Sequence, residues 1–338
     1  MQLGIGVERA VGIAALMVLS GCAAEAGSYS RAPSSSGTST PTMGTGSGAG
    51  VLTAGVWDDN LNYEHFSAYR EASSVRLPFE AGEHDAAHTR FDGQREGHAL
   101  LDVALVIDAT GSMGDEITYL KAELDSIASR VAAAYPEADT RWALVMYRDE
   151  GDEYVTRVLD FTDVASMRAS LAMQSAGGGG DYPEASHAAL RDMTNLSFRE
   201  GDDVARLAFW VADAPHHDSV VREWAEAVRT AAQLDVHVYP VASSGVDGLT
   251  ELSMRSAAQL TGGRYLFLTD DSGVGGSHLE PTIPCYVVTR LVDAMLRMID
   301  SEMSGSRIAP SSEAILRTSG EPVDGLCTTE EGVTARAY

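Results

Sequence analysis

Leu101-Asp102-Val103-Ala104-Leu105-Val106-Ile107-Asp108-Ala109-Thr110-Gly111-Ser112-Met113-Gly114 is the stretch on which the fold turns. Val103 to Ile107 is an unbroken apolar run, as expected of a strand buried on both faces. It stops at an acid and enters a turn where oxygen side chains recur at Asp108, Thr110 and Ser112. Beyond the turn, Ile117, Leu120, Leu124, Ile127 and Val131 repeat at spacings of three and four, which predicts one apolar face of a helix. The unit is therefore strand, polar turn, helix.

Working outward, the same unit recurs. Strands are predicted at 142–147, at 207–212 ending on Asp213, at 236–242 and at 265–268, with an alternating edge strand at 154–161. Helices are predicted at 164–171, around Val221, Trp224, Val228 and Ala231, and at 249–260 before Gly262-Gly263. A last helix is read from Val288, Leu291, Val292, Met295 and Ile299. After the glycines at 177–180, Pro183 suits a first helical position, with Ala185, Ala189, Leu190 and Met193 following. Strands alternating with helices predict an α/β fold, a doubly wound, mostly parallel sheet with helices on both faces. Ligands bind such sheets beyond the carboxyl ends of the strands. Asp108 and Asp213 each end an apolar strand, so both carboxylates are expected at one sheet edge. With the hydroxyls of Thr110 and Ser112 they offer hard oxygen donors, which suit Mg²⁺ together with waters.

These residues resemble a von Willebrand factor A domain, over about 98–303. Asp108-x-Thr110-x-Ser112 is similar to that family's first metal motif, and Asp213, in Phe209-Trp210-Val211-Ala212-Asp213-Ala214-Pro215, to its last metal-site Asp. Gly177-Gly178-Gly179-Gly180-Asp181-Tyr182-Pro183-Glu184-Ala185 stands where the family's middle ligand, usually Thr, is found, and Asp181 falls at that position. The resemblance implies a divalent cation, Mg²⁺ or else Mn²⁺ or Ca²⁺, held by Asp108, Thr110, Ser112, Asp181 and Asp213. It further implies capture of a protein partner through the ion, often by an acidic side chain. Three carboxylates outweigh a 2+ ion, so direct coordination by Asp181 would tighten ion binding and weaken the pull on an acidic ligand. Glu184 is the alternative to Asp181 at that middle position, although, like Asp115 and Glu116, it also suits the first turn of a helix.

Enzyme readings compete less well. Ser112, Asp213 and His216 or His217 follow the chain order of an α/β-hydrolase, but Thr110 stands where the nucleophile elbow needs Gly. A phosphatase with an Asp108 nucleophile would want a second Asp at Thr110. His216, His217 and Asp218 are read as loop residues, with Asp218 capping the next helix. A metal-dependent hydrolase with His217 as general base is the enzyme alternative to a binding module.

The ends of the chain concern location. Ala10 to Leu19 is an apolar run too short to span a bilayer, which takes about 20 residues as helix. It leads to Leu19-Ser20-Gly21-Cys22, which resembles a bacterial lipoprotein signal. That resemblance implies removal of 1–21 and lipidation of Cys22. Ala23, where an Asp would retain the protein at the inner membrane, implies the outer membrane. Residues 22–50 then hold the lipidated Cys and a Gly/Ser/Thr/Pro tether. Residues 51–97 are too few for a core of their own and are expected to pack on the 98–303 domain, and 304–338 reads as a polar tail. In an exported chain, Cys285 and Cys327 are expected to form a disulfide. With 49 Asp plus Glu against 24 Lys plus Arg and a net charge of −25, a nucleic-acid partner is excluded.

Overall fold

Strands apolar on both faces can lie only in the middle of a covered sheet, and that is where this chain puts them. The computed structural model describes residues 51–93, 96–328 and 332–338. The expected signal peptide, Cys22 and the expected tether, residues 1–50, lie outside the described residues. In chain order the elements are β1 (Thr53–Trp57), α1 (Tyr63–Ala72), α2 (Ala81–Phe91), β2 (Leu100–Asp108), α3 (Gly114–Ala134), β3 (Thr140–Tyr147), β4 (Thr156–Thr162), α4 (Val164–Ala172), α5 (Ser186–Thr194) and β5 (Val204–Ala212). There follow α6 (Val221–Gln233), β6 (His237–Ala242), α7 (Gly248–Thr261), β7 (Tyr265–Leu268), β8 (Tyr286–Arg290), α8 (Leu291–Ser304), β9 (Arg317–Ser319), β10 (Leu326–Thr328) and β11 (Thr334–Arg336).

One nine-stranded sheet runs β4-β3-β2-β5-β6-β7-β1-β8-β9. Its middle, β3-β2-β5-β6-β7, is parallel, and the flanking strands β4, β1, β8 and β9 are antiparallel to their neighbours. Alternate residues of β2 feed two cores. Val103, Leu105 and Ile107 meet the apolar faces of α3, α4 and α8, while Ala104 and Val106 meet α5, α6 and α7. From β2 the chain steps to β3 on one side and later returns to β5 on the other. The order thus reverses between β2 and β5, the place where open α/β sheets bind ligands.

Several boundaries differ from the sequence reading, each for a non-local reason. The segment 51–97 does more than pack on its neighbour. β1 enters the sheet between β7 and β8, pairing Ala54 with Leu268 and with Thr289. Gly55 is required there, because a Cβ would lie 2.2 Å from the Phe267 ring. The acids after β1 then tie down α7 and the chain beyond α8. Asp59 pairs with Arg255 at 2.6 Å, both buried, and Asp58 with Arg264 and Arg307 at 3.1 and 2.9 Å. Val288 is in a strand rather than the last helix, because β1 offers β8 a partner. The tail is not without structure: β9 extends the sheet from β8, and β10 and β11 form a hairpin. Cys285 and Cys327 are joined by a disulfide, with Cα atoms 6.3 Å apart.

Candidate metal centre

β2 and β5 run side by side in parallel register, Val106 opposite Trp210 and Ile107 opposite Val211. Asp108 ends β2 and Asp213 follows β5 directly, so the two carboxylates emerge at one edge on either side of the switch point. The turn after Asp108 is closed by its own side chain: Oδ1 accepts from the Thr110 N–H at 2.9 Å and from the Thr110 hydroxyl at 2.6 Å. Thr110 Oγ1 lies 3.2 Å from Ser112 Oγ. Burial raises the Asp213 carboxyl above its ordinary range, and a hydrogen bond with the Ser112 hydroxyl offsets part of that rise. Four of the sequence-predicted ligands are therefore brought together.

The glycine loop folds over this turn. The Gly177 N–H donates to the Ala109 carbonyl at 2.9 Å, and the Gly111 N–H to the Gly178 carbonyl at 3.0 Å. Gly179 has φ +73°, and a Cβ on it would lie 2.8 Å from Glu184 Oε1 and 3.1 Å from Thr110 Cβ. The glycine is there because Glu184 and Thr110 close in on it.

This packing settles which acid of the loop turns inward. Asp181 is exposed, and no described hydrogen bond or ion pair links it to Asp108 or Asp213. Glu184 is 2% exposed. Pro183 does not open a helix: the Glu184 N–H donates to the Pro215 carbonyl at 2.8 Å and the backbone bridges to His216, so α5 starts only at Ser186. That pairing aims the Glu184 carboxyl at Thr110 instead of leaving it in a first helical turn. Glu116, also buried, accepts from the Ser244 N–H at 3.3 Å and from the Ser244 hydroxyl. Ser243, ending beside Asp213 through its N–H to the Ala212 carbonyl, is a further buried hydroxyl without a partner. Sequence spacing gave no signal for Ser243, and Glu184 stood there only as the alternative to Asp181.

Electrostatics mark the edge. Burial raises the Asp108 carboxyl, the facing Asp213 raises it further, and Tyr147 opposes the rise. The Tyr147 hydroxyl accepts from Trp210 Nε1 at 3.2 Å. Glu184 is pushed up to about 9, first by burial and then by Asp108, Asp149, Asp213 and Asp152. Asp108 Oδ2, Asp213 Oδ1 and Glu184 Oε2 are buried without a hydrogen-bond partner. Buried polar atoms in native proteins are nearly always satisfied, so three carboxylate oxygens without partners at one edge fit a cation as their partner. Among the described residues no three Asp, Glu, His or Cys side chains converge closely enough to hold an ion by themselves. The donor set must therefore include the Thr110 and Ser112 hydroxyls and waters, which is the chemistry of a hard ion such as Mg²⁺.

The neighbouring histidines are otherwise engaged. His217 Nε2 lies 2.7 Å from Asp149 Oδ1. His216 is buried against Trp224, with ring centroids 4.9 Å apart. Asp218 does not cap α6. It starts a short 3-10 turn that begins after His217, with no side-chain cap at either position.

A family model of the von Willebrand factor A domain matches residues 102–270. An ariadne-like RING finger protein of Acanthamoeba polyphaga mimivirus is 26% identical over an alignment of 192 positions that covers 51% of this chain. The match spans only 19% of the viral protein's length. Among solved structures, a pilus adhesin from Lactobacillus rhamnosus GG aligns with a TM-score of 0.37 and 11% identity, over 50% of this chain and 28% of the adhesin. An aerotolerance-related membrane protein from Bacteroides fragilis NCTC 9343 aligns with a TM-score of 0.36 and 16% identity, over 51% and 92%. With the strand order, the switch-point acids and the matched family model in agreement over the middle of the chain, the protein belongs to the von Willebrand factor A domain family.

Proposed function

We propose that this protein is a membrane-anchored, exported binding module that coordinates a divalent cation and captures a protein partner through it. The observation that carries the reading is the set of orphaned oxygens on Asp108, Asp213 and Glu184, buried together at the switch point of the sheet. Asp108, Thr110, Ser112 and Asp213 would supply the ion's side-chain oxygens. Glu184 would take the middle place that sequence had given to Asp181, directly or through a bound water. The ion is Mg²⁺ by the hardness of the donors, with Mn²⁺ and Ca²⁺ to be compared. Cys22 would carry the lipid, and acyl chains contribute about 0.8 kcal/mol per buried methylene, enough with two or more to anchor the chain.

The test is crosslinked pull-down with the full chain in Mg²⁺ and in EDTA, followed by mass spectrometry. Partners recovered with Mg²⁺, lost in EDTA and lost with Asp108→Ala support the reading; identical partners under all conditions contradict it. Cys22→Ser should leave the detergent phase, and unchanged partitioning removes the anchor. A hydrolase built on the same ion is the second reading, favoured by the carboxylate of Asp149 against the His217 imidazole. It requires Mg²⁺-dependent turnover that His217→Gln abolishes.

A further inference from the structure

The distribution of charge around the site names its partner. The inference rests on the ion site proposed above and deepens it. Asp108, Glu184 and Asp213 are 0%, 2% and 3% exposed. Among the described residues no ion pair joins these three to Lys or Arg. Asp108 and Asp213 already match the charge of a 2+ ion, so with Glu184 beside them the loaded site presents no net positive charge to a partner. The unpartnered Glu184 Oε2 lies inside this acidic pocket, not on its rim.

The rim repeats the sign. The loops leaving this edge are 109–113, 148–155, 173–185, 213–220, 243–247 and 269–285. Together they hold one basic residue other than histidine, Arg148, from a chain with 24 Lys plus Arg; next to them, Arg222 is exposed in the first turn of α6, and Arg317 is paired with Asp271 and Glu280. Arg148 is buried, and its guanidinium donates to the Ser175 carbonyl at 3.0 Å and lies over the Tyr154 ring. Glu150, Asp181, Asp218 and Asp247, by contrast, are exposed. Among them stands Tyr182, 43% exposed, its hydroxyl fixed by a hydrogen bond donated to the Gly245 carbonyl at 2.9 Å. An anchored ring bordered by carboxylates is suited to receive a Lys or Arg side chain over its face.

We infer that the partner docks a Lys- or Arg-bearing protein segment on this edge, one cation stacking on Tyr182, and not the acidic side chain that the family resemblance implies. Like charges across such a face slow and weaken association, whereas opposite charges steer it.

The experiment uses the full chain in detergent with millimolar Mg²⁺ and about 0.15 M salt, where distant charges are screened. The probes are a fluorescein-labelled Arg/Gly/Ser peptide and its Glu/Gly/Ser counterpart, read by fluorescence anisotropy. The Arg peptide should bind at least about tenfold more tightly. Tyr182→Ala should weaken it by about two- to fivefold, the range of an exposed cation–ring contact. Asp181→Lys with Asp218→Lys should narrow or reverse the preference, and circular dichroism checks that each variant is folded. Equal binding of the two peptides, or tighter binding of the Glu peptide, overturns the inference. Ion titration of the same samples separates the two claims. If Mg²⁺ binds and the Glu peptide wins, only the polarity is wrong. If no ion binds and the Arg peptide still wins, the ion site fails and the cationic partner stands.

Discussion

Asp59→Ala tests whether the residues before the matched domain are part of its fold. Asp59 and Arg255 are each 1% exposed, and Arg255 donates to Asp59 through Nε at 3.0 Å and Nη2 at 2.6 Å. Removing one partner of a buried pair costs about 3–5 kcal/mol, because the other charge is left uncompensated. Arg255 keeps Glu251, at 3.0 Å from Nη1, so the lower figure of about 3 kcal/mol applies. Unfolding entropy of about 2.1 cal/mol/K per residue, over the roughly 290 residues from Val51 onward, gives about 0.6 kcal/mol/K. Asp59→Ala should therefore lower Tm by about 5 K. Replacing the whole buried cluster, Asp59→Leu with Arg255→Met and Glu251→Leu, should recover much of the loss, since buried ion pairs gain little over apolar groups of similar volume. The assay is urea unfolding followed by tryptophan fluorescence, in EDTA throughout so that ion binding does not contribute. A loss below about 1 kcal/mol for Asp59→Ala would refute the claim that the leader is locked to α7.

Gly179→Ala should cost about 1–3 kcal/mol and weaken ion binding, since it forces a positive φ and meets Glu184, whereas Gly180→Ala, with open space around it, should be neutral. Equal effects of the two contradict the placement of Glu184. His84 is held neutral by burial, its pKa lowered from 6.5 to about 4. The unfolded chain takes up that proton first, so stability should rise with pH across this window, with up to about 3 kcal/mol lost by the acid end. In His84→Gln the stability–pH slope should flatten by one proton, and an unchanged slope refutes the assignment. Opening the 42-residue separation between Cys285 and Cys327 by substituting both with Ser should cost about 4 kcal/mol on the chain-entropy model; urea midpoints of the oxidised protein and the double variant measure it, and a loss below about 1 kcal/mol contradicts it.

How far the sequence carried the fold depended on where each partner sat. β2 and β5 were legible because a strand buried on both faces leaves a continuous apolar run, and α3 because its buried residues keep helical spacing. β1 and β8 were not. Each has five residues; β1 pairs only with elements more than 200 positions away, and β8 lies between β1 and the three-residue β9, itself without a sequence signal. Val288 was taken into a helix because its spacing to Leu291 and Val292 fits one equally well. The site divides the same way. Asp108, Thr110, Ser112 and Asp213 could be read because each sits at or beside a strand end, where the alternation of elements dictates position. Asp181 and Glu184 lie in a loop whose direction is set by a hydrogen bond to Pro215, and nothing local chooses between them. Nor was the acidic rim apparent until the fold gathered its loops at one edge.

The most direct measurement of the central claim is calorimetric titration of the full chain with Mg²⁺, Mn²⁺ and Ca²⁺, paired with thermal melts in each ion and in EDTA. The account predicts saturable binding and a Tm that climbs with free ion, each tenfold excess over Kd adding about 1.4 kcal/mol. Asp108→Ala should lose the binding heat and most of that gain. Asp108→Asn, whose amide oxygen can still accept from Thr110, should melt no lower than wild type in EDTA, because it removes the charge of one of two facing carboxylates that burial already disfavours. Identical wild-type melts in EDTA and in millimolar Mg²⁺, Mn²⁺ and Ca²⁺, with no heat of ion binding, would contradict it.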